Sequence, residues 1–146
     1  MSTVKLEGFK ELERALAQLP KATGKNVLRR VAKAALDPVA DMAANAAPHR
    51  SGRLAYSITV SEQRTRRAKK RGPKQGIEMA MGPAGGLGTL QYASFDEFGT
   101  VDTPAFGFMR QAWDNGSSGA LDTVKSSLSA EIMKAAQRRA RKAAKG

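Results

Sequence analysis

Apolar residues recur with a helical spacing near both ends of this sequence and with a period of two in its middle. This change of period restricts the chain to a mixed α and β fold. Residues 3–6 alternate polar and apolar side chains, which predicts a short strand. From Phe9 to Leu19 the apolar residues come in steps of three and four, and Pro20 follows. This pattern predicts an amphipathic first helix that Pro20 ends.

A second, longer helix is predicted over about residues 21–47. The apolar residues expected to face its core are Val27, Leu28, Val31, Ala35, Val39, Met42 and Ala46. Pro38 lies inside the helix, where its missing N–H and its ring should bend the helix or split it in two. Pro48 marks the end of the helix.

Two strands with a basic segment between them are predicted in the middle of the chain. Residues 54–64 place Tyr56, Ile58 and Val60 on one face of a strand, and residues 76–81 are its expected partner. The segment 64–75 between them is a predicted hairpin tip, mobile because like charges repel each other. Its cations are Arg64, Arg66, Arg67, Lys69, Lys70, Arg71 and Lys74.

A glycine-rich stretch separates these strands from the last third of the chain. Residues 82–88 are too rich in glycine for regular structure and predict a loop. Tyr92, Phe95 and Phe98 are then spaced for one side of a short helix, with Thr89 as its cap and Gly99 as its terminator. A strand is the alternative interpretation of this segment.

Two further helices are predicted after Gly99. Thr103 followed by Pro104 has the signature of a helix start, with a turn at residues 115–119 behind it. The buried side of the first helix is expected to consist of Phe108, Met109, Ala112 and Trp113. The last helix begins near Ala120, and its apolar stripe comprises Leu121, Val124, Leu128, Ile132 and Ala135. Beyond Gln137 we expect it to fray.

The fold class that follows is α+β: a small, mainly antiparallel sheet packed against a long helix, with additional C-terminal helices. A chain of 146 residues suffices for one domain, here residues 1–116, and residues 117–146 form a C-terminal helix that ends in a basic tail. Aromatic residues are only 5% of the chain, so the core is thin and neighbouring subunits are expected to complete it.

The composition argues against an enzyme, a cofactor and a metal site. There is no cysteine, and the single histidine, His49, has no partner with which to bind a metal. Asp96 and Glu97 are adjacent, whereas acid–base catalysis needs carboxylates that converge from two elements. The glycine-rich loop lacks the Gly-Lys-Ser or Gly-Lys-Thr ending of a phosphate-binding loop. No apolar run is long enough for a membrane span or a leader, so we expect no membrane partner.

A net charge of +12 indicates an anionic partner, either DNA or an acidic protein surface. Neither basic segment, residues 64–74 or residues 134–146, contains an aromatic residue on which single-stranded bases would stack. Neither has a recognisable DNA-reading motif. Both partners therefore remain open at this point.

Two stretches are more specific. Residues 47–54 read APHRSGRL and lead into Ser57-Ile58; Tyr92-Ala93 is followed by EFGT at 97–100 and FMRQA at 108–112. In order and spacing they resemble the tail-completion, or head-tail joining, family of long-tailed bacteriophages. The opening LEGFKEL at 6–12 and the Leu19-Pro20 stop are similar too, so the resemblance covers most of residues 4–115. The chain departs from the family pattern at Asp96, where an aliphatic residue is usual, and at Gly107, where proline is common.

The resemblance implies a structural protein of the virion, assembled in the host cytoplasm and located in the neck at the head-tail interface. It implies a homo-oligomeric ring of about six subunits, a hexamer, on the head-proximal end of the tail tube. The implied partners are the tail tube or tail terminator protein, the head connector or adaptor protein, and the DNA in the channel. The alternative function is a basic nucleic-acid-binding accessory protein. The motif residues expected at subunit or partner interfaces are Pro48, Ser51, Gly52, Arg53, Leu54, Tyr92, Glu97, Phe98, Gly99, Thr100 and Phe108.

Three motif residues have expected physical roles that do not depend on the resemblance. Gly52 is free to adopt a positive φ where the chain turns from the second helix into the first long strand. Arg53 and Glu97 flank the presumed sheet, and we hypothesise that they form an ion pair.

Overall fold

Two long helices lie side by side, and the other elements pack around them. The computed structural model describes residues 9–48, 52–62 and 77–146. In these ranges the elements are α1 (Phe9–Ala17), α2 (Lys21–Ala46), α3 (Arg53–Ser57), β1 (Ile58–Ser61), β2 (Ala80–Pro83), α4 (Leu87–Phe98) and α5 (Phe108–Lys145). The predicted α+β class is confirmed, and the fold is mainly helical. The strand predicted at residues 3–6 lies outside the described residues.

The core has two clusters, one toward each end of the α2–α5 pair. Val27 and Val31 of α2 pack with Leu128, Ile132 and Ala135 of α5. The half-buried leucines of α1 cover this cluster, as the stripe of the first helix predicts. At the other end, the buried residues of the second cluster are Val39, Ala43, Ala47, Leu54, Ala93, Phe108 and Ala112. The small alanines allow the helices to approach each other closely, and Phe108 supplies the largest fully buried side chain.

Pro38 does not split the second helix. α2 runs for 26 residues with Pro38 inside it, and the proline ring lies on the exposed side of the helix. Val39 and Ala35, on the buried side, pack in the core. The packing of α2 against α5 therefore outweighs the cost of a proline in a helix interior, about 3 kcal/mol. The predicted core residue Met42 is partly exposed.

The sheet consists of two short antiparallel strands. Ile58 lies opposite Pro83, and Ser61 lies opposite Ala80. The pairing is confirmed, but the predicted bounds were wrong at both strands. Residues 54–57 belong to α3, whose last turn is closed by a hydrogen bond from the Ser57 hydroxyl to the Leu54 carbonyl (2.7 Å). The predicted hairpin tip at 64–75 lies outside the described residues.

α4 confirms the helical interpretation of Tyr92, Phe95 and Phe98 over the strand. It is longer than predicted, so the loop expected at 82–88 is reduced to residues 84–86. Thr89 lies inside the helix and does not cap it, because the helix begins at Leu87 after Gly86. Gly99 ends the helix with a φ of +78°, as predicted.

The largest correction concerns α5, one continuous helix of 38 residues. It begins at Phe108, after Gly107, and not at Thr103. The turn predicted at residues 115–119 is helical, and the helix does not fray beyond Gln137. The predicted division of the chain at residue 116 falls inside this helix. Contact with α2 explains the helix at the predicted turn, where Gly116 is buried against Val39, because tertiary packing overrides the low helix propensity of glycine and asparagine.

Candidate assembly interface

The Glu-Phe-Gly-Thr segment, residues 97–100, forms a corner that joins α4 to α5. Glu97 is the one buried polar residue in the described part of the chain. Its carboxylate accepts hydrogen bonds from the backbone N–H of Met109 (2.8 Å) and of Arg110 (3.1 Å). These two N–H groups belong to the first turn of α5, where helices lack internal partners and favour negative charge. Glu97 therefore caps α5 from the end of α4.

Gly99 lets the chain leave α4 in a direction that other residues would resist. A Cβ atom at this position would lie 2.7 Å from the backbone nitrogen of Ala105. The loop then folds back on itself, because the N–H of Thr100 donates to the Thr103 carbonyl (2.8 Å). The Thr100 hydroxyl accepts the N–H of Thr103 in return (3.1 Å). Positive φ and close backbone approach together explain the glycine.

The same corner is tied to α4 by a second set of bonds. The Asp96 carbonyl accepts the N–H of Phe106 (2.8 Å) and of Gly107 (3.2 Å). The Gln111 side chain donates to the Phe106 carbonyl (2.8 Å). Gly107, with a φ of +66°, then starts α5. The loop between the two helices is thus anchored at Asp96, Glu97 and Gln111.

α4 and the corner that follows it expose aromatic side chains to solvent. Tyr92 and Phe98 of α4 are 68% and 70% exposed, and Phe95 and Phe106 are about half exposed. We call these four residues the aromatic surface. Tyr92, Phe95 and Phe98 recur at intervals of three along the helix, and the Phe106 backbone is bonded to the end of the same helix. Aromatic residues exposed at such density mark interaction sites.

A groove of about 490 Å³ lies beside the aromatic surface. Its lining residues are Pro48, Arg53, Leu54, Gly86, Gly88, Thr89, Tyr92 and Asp96. Four of them are among the interface residues expected from the sequence: Pro48, Arg53, Leu54 and Tyr92. Residues 48–54 and 86–96 are thus brought together by α3 and α4. Gly52 permits this with a φ of +71° before α3, as predicted.

The hypothesised ion pair between Arg53 and Glu97 was wrong. Among the described residues no ion pair joins them: Arg53 is exposed at the groove, whereas the Glu97 carboxylate is buried and bonded to the start of α5. No local sequence pattern signals this cap, because Glu97 precedes the first residue of the helix it caps, Phe108, by 11 residues. Gly107, directly before Phe108, is a weak signal for a helix start. The Thr103-Pro104 pair is a stronger signal and predicts the start too early.

The other expected interface residues divide into two groups. Phe98 and Thr100 are exposed, whereas Glu97 and Phe108 are buried and support the surface from below. Ser51 and His49 lie outside the described residues, as do all seven cations of the basic segment. Trp113, expected in the core, is half exposed on α5.

In the described ranges, no three side chains of His, Asp or Glu form a group that could hold a metal ion. No helix in these ranges is both long and apolar enough to cross a lipid bilayer.

The comparison with known families gives one match. The model of the HK97-gp10-like family, described as a tail component of bacteriophage HK97, matches residues 10–99. No curated protein and no solved structure shows a significant match to the chain. The matched region includes the groove, most of the aromatic surface and the Glu-Phe-Gly segment.

Proposed function

Because the chain belongs to the HK97-gp10-like family of bacteriophage tail components, we propose that it completes the tail and joins it to the head connector. In this role it forms a ring at the head-proximal end of the tail tube, in the neck of the virion. Its function is binding, since the family is one of structural tail components.

The observation that supports this proposal is the aromatic surface beside the groove. A single chain leaves Tyr92 and Phe98 more than half exposed. Burying an aromatic side chain contributes about 1.5–3 kcal/mol to association. The hydrogen bonds of Glu97, Gly99 and Thr100 hold the surface in one conformation before binding, which lowers the entropic cost of association.

The ring is the part of the proposal that rests on the family resemblance. The groove and the aromatic surface adjoin each other at Tyr92, and we propose that together they form one side of a head-to-tail interface between neighbouring subunits. Such heterologous contacts close into a ring when the rotation between subunits allows it. We propose about six subunits, as the family resemblance implies.

The remaining partners are the tail tube or tail terminator protein on one side and the head connector or adaptor protein on the other. The basic segment at 64–75 is the proposed contact for an acidic neighbour or for DNA in the channel. Arg29 of α2 holds the chain just before this segment through its bond to Glu62 (2.7 Å). That hydrogen bond and the charge of Glu62 raise the pKa of Arg29 above its ordinary value.

The test is electron microscopy of the protein mixed with tail tubes from particles that lack it. We expect density that caps one end of each tube and shows the number of subunits. Tyr92→Ser combined with Phe98→Ser should abolish the cap. A matched control, Leu87→Ser combined with Val101→Ser, removes two exposed apolar residues outside the aromatic surface and should retain it.

Two outcomes would contradict the proposal. Bare tubes with the wild-type protein bound along added DNA would favour the alternative, a nucleic-acid-binding accessory protein. Caps that form equally well with the Tyr92 and Phe98 variant would exclude the aromatic surface from the joint.

A further inference from the structure

The last three turns of α5 carry a row of positive charge outside the family match. Arg138, Arg141, Lys142 and Lys145 follow one another at intervals of three, one and three residues. At 100° per residue these four positions fall within about 100° of arc, so they share one side of the helix. We call these four residues the basic stripe.

Arg139, the neighbouring arginine, points elsewhere and has a structural role. Its guanidinium donates to the Gln18 carbonyl at the end of α1 (3.0 Å). It therefore fixes how α5 is rotated against α1. Because Arg139 faces α1, the side that bears the basic stripe is turned away from this contact.

The basic stripe is unneutralised. All four residues are exposed, and within the described ranges none of them forms an ion pair. The last acidic residue before the stripe, Glu131, is bonded to Arg30 (3.2 Å) and Lys134 (3.6 Å). No acidic residue follows it in the sequence.

From these observations we infer that the basic stripe binds the phosphate backbone of double-stranded DNA without sequence preference. The inference goes beyond the proposed function, because it concerns the isolated chain and does not require a ring. The stripe spans about 10 Å along the helix axis, at 1.5 Å per residue, a length over which duplex DNA presents several phosphates.

The residues around the stripe distinguish DNA from the other anionic partners. Protein interfaces need large apolar or aromatic residues at their centre, and helices that bind membranes need them on one face. Residues 134–146 contain no apolar residue larger than alanine. Single-stranded nucleic acid is disfavoured because no aromatic residue is present for stacking. A duplex backbone requires only positive charge in a fixed row.

The test is fluorescence anisotropy of a 30-base-pair duplex titrated with the full chain at several salt concentrations. With up to four phosphates neutralised by the basic stripe, we expect the stripe to contribute about −3 to −4 to the slope of log affinity against log salt. Replacing the four residues of the basic stripe by Gln should weaken binding at least about tenfold at low salt and reduce the slope by about 3. Glutamine maintains helix propensity, and circular dichroism verifies the fold.

A matched control removes the same number of charges elsewhere. Lys10, Lys33, Arg110 and Lys125 are exposed and lie outside the stripe. Replacing them by Gln should change DNA affinity less than about threefold. An equal loss in both variants would show that net charge alone binds DNA and would overturn the inference.

Two other anionic probes test the inference, and binding of either one in place of DNA would contradict it. Poly-glutamate bound through the stripe, with no affinity for the duplex, would assign it to an acidic protein. Vesicles with anionic lipids that bind while the duplex does not would assign it to a membrane surface. Failure of tail capping with intact DNA binding would refute the proposed function alone.

Discussion

Gly116 and Gly119 stand three residues apart in α5 and meet opposite surroundings. A Cβ atom on Gly116 would lie 2.9 Å from a methyl carbon of Val39 and 3.3 Å from the Met42 sulfur. A Cβ atom on Gly119 would meet nothing within 4 Å. The first glycine allows α2 and α5 to approach each other, whereas the second merely lowers helix propensity.

Substituting alanine at the two positions should therefore have opposite effects. Gly119→Ala should raise the free energy of unfolding by about 0.5–1 kcal/mol, because alanine is the better helix former. Gly116→Ala should lower it by about 1–3 kcal/mol, because Val39 is buried and has little rotameric freedom. Urea denaturation measures both, and a Gly116→Ala variant as stable as Gly119→Ala would contradict the close packing.

The Glu97 cap is a second property of a single residue. Glu97→Ala leaves the N–H groups of Met109 and Arg110 without a partner and should destabilise the fold by about 1–3 kcal/mol. Glu97→Gln retains one acceptor oxygen and should cost less. Glu78, which is exposed, serves as the control: its replacement by Ala should change stability by less than about 0.5 kcal/mol. Equal midpoints of thermal unfolding for all three variants would contradict the cap.

At the scale of the element, α2 tolerates a proline that its packing does not require. Pro38 is exposed, so its replacement by Ala restores an N–H group to the helix without altering the core. We expect Pro38→Ala to stabilise the protein by roughly 1–3 kcal/mol. Pro20→Ala, at the N-terminal cap of the same helix, should change stability by less than about 1 kcal/mol. A destabilised Pro38→Ala variant in urea denaturation would mean that the proline shapes α2.

The individual elements show which parts of the fold the sequence patterns predict and which they do not. The stripes of α1 and α2 and the helical spacing of Tyr92, Phe95 and Phe98 placed those helices correctly. The spacing of the aromatic side chains of α4 does not indicate their exposure, because the same spacing describes a buried face and an exposed one. The five residues at 115–119 have strong turn propensity, and only their contact with α2 makes them helical. Likewise, Glu97 meets the N–H groups of Met109 and Arg110 because the loop brings the start of α5 back to the end of α4. No local sequence pattern encodes this approach.

At the scale of the whole molecule, self-association should depend on the aromatic surface and not on stability. Phe98→Ser should leave the unfolding midpoint within a few degrees of wild type, since Phe98 is 70% exposed. It should shift the sedimentation profile from oligomer toward monomer. Phe108→Ser, in contrast, should unfold the chain because Phe108 is fully buried. An unchanged sedimentation profile for Phe98→Ser would contradict the role of this surface in association.

Because α5 is uninterrupted, it fixes the distance between the corner at its start and the basic stripe near its end. It has 38 residues, which at 1.5 Å each make it about 57 Å long. One end is capped beside the aromatic surface, and the basic stripe begins about 45 Å away along the axis. A neighbour bound at the corner and a duplex bound at the stripe would therefore be separated by a fixed number of helical turns. Inserting or deleting four residues, slightly more than one turn, would change that separation by about 6 Å and would rotate the stripe by about 40°.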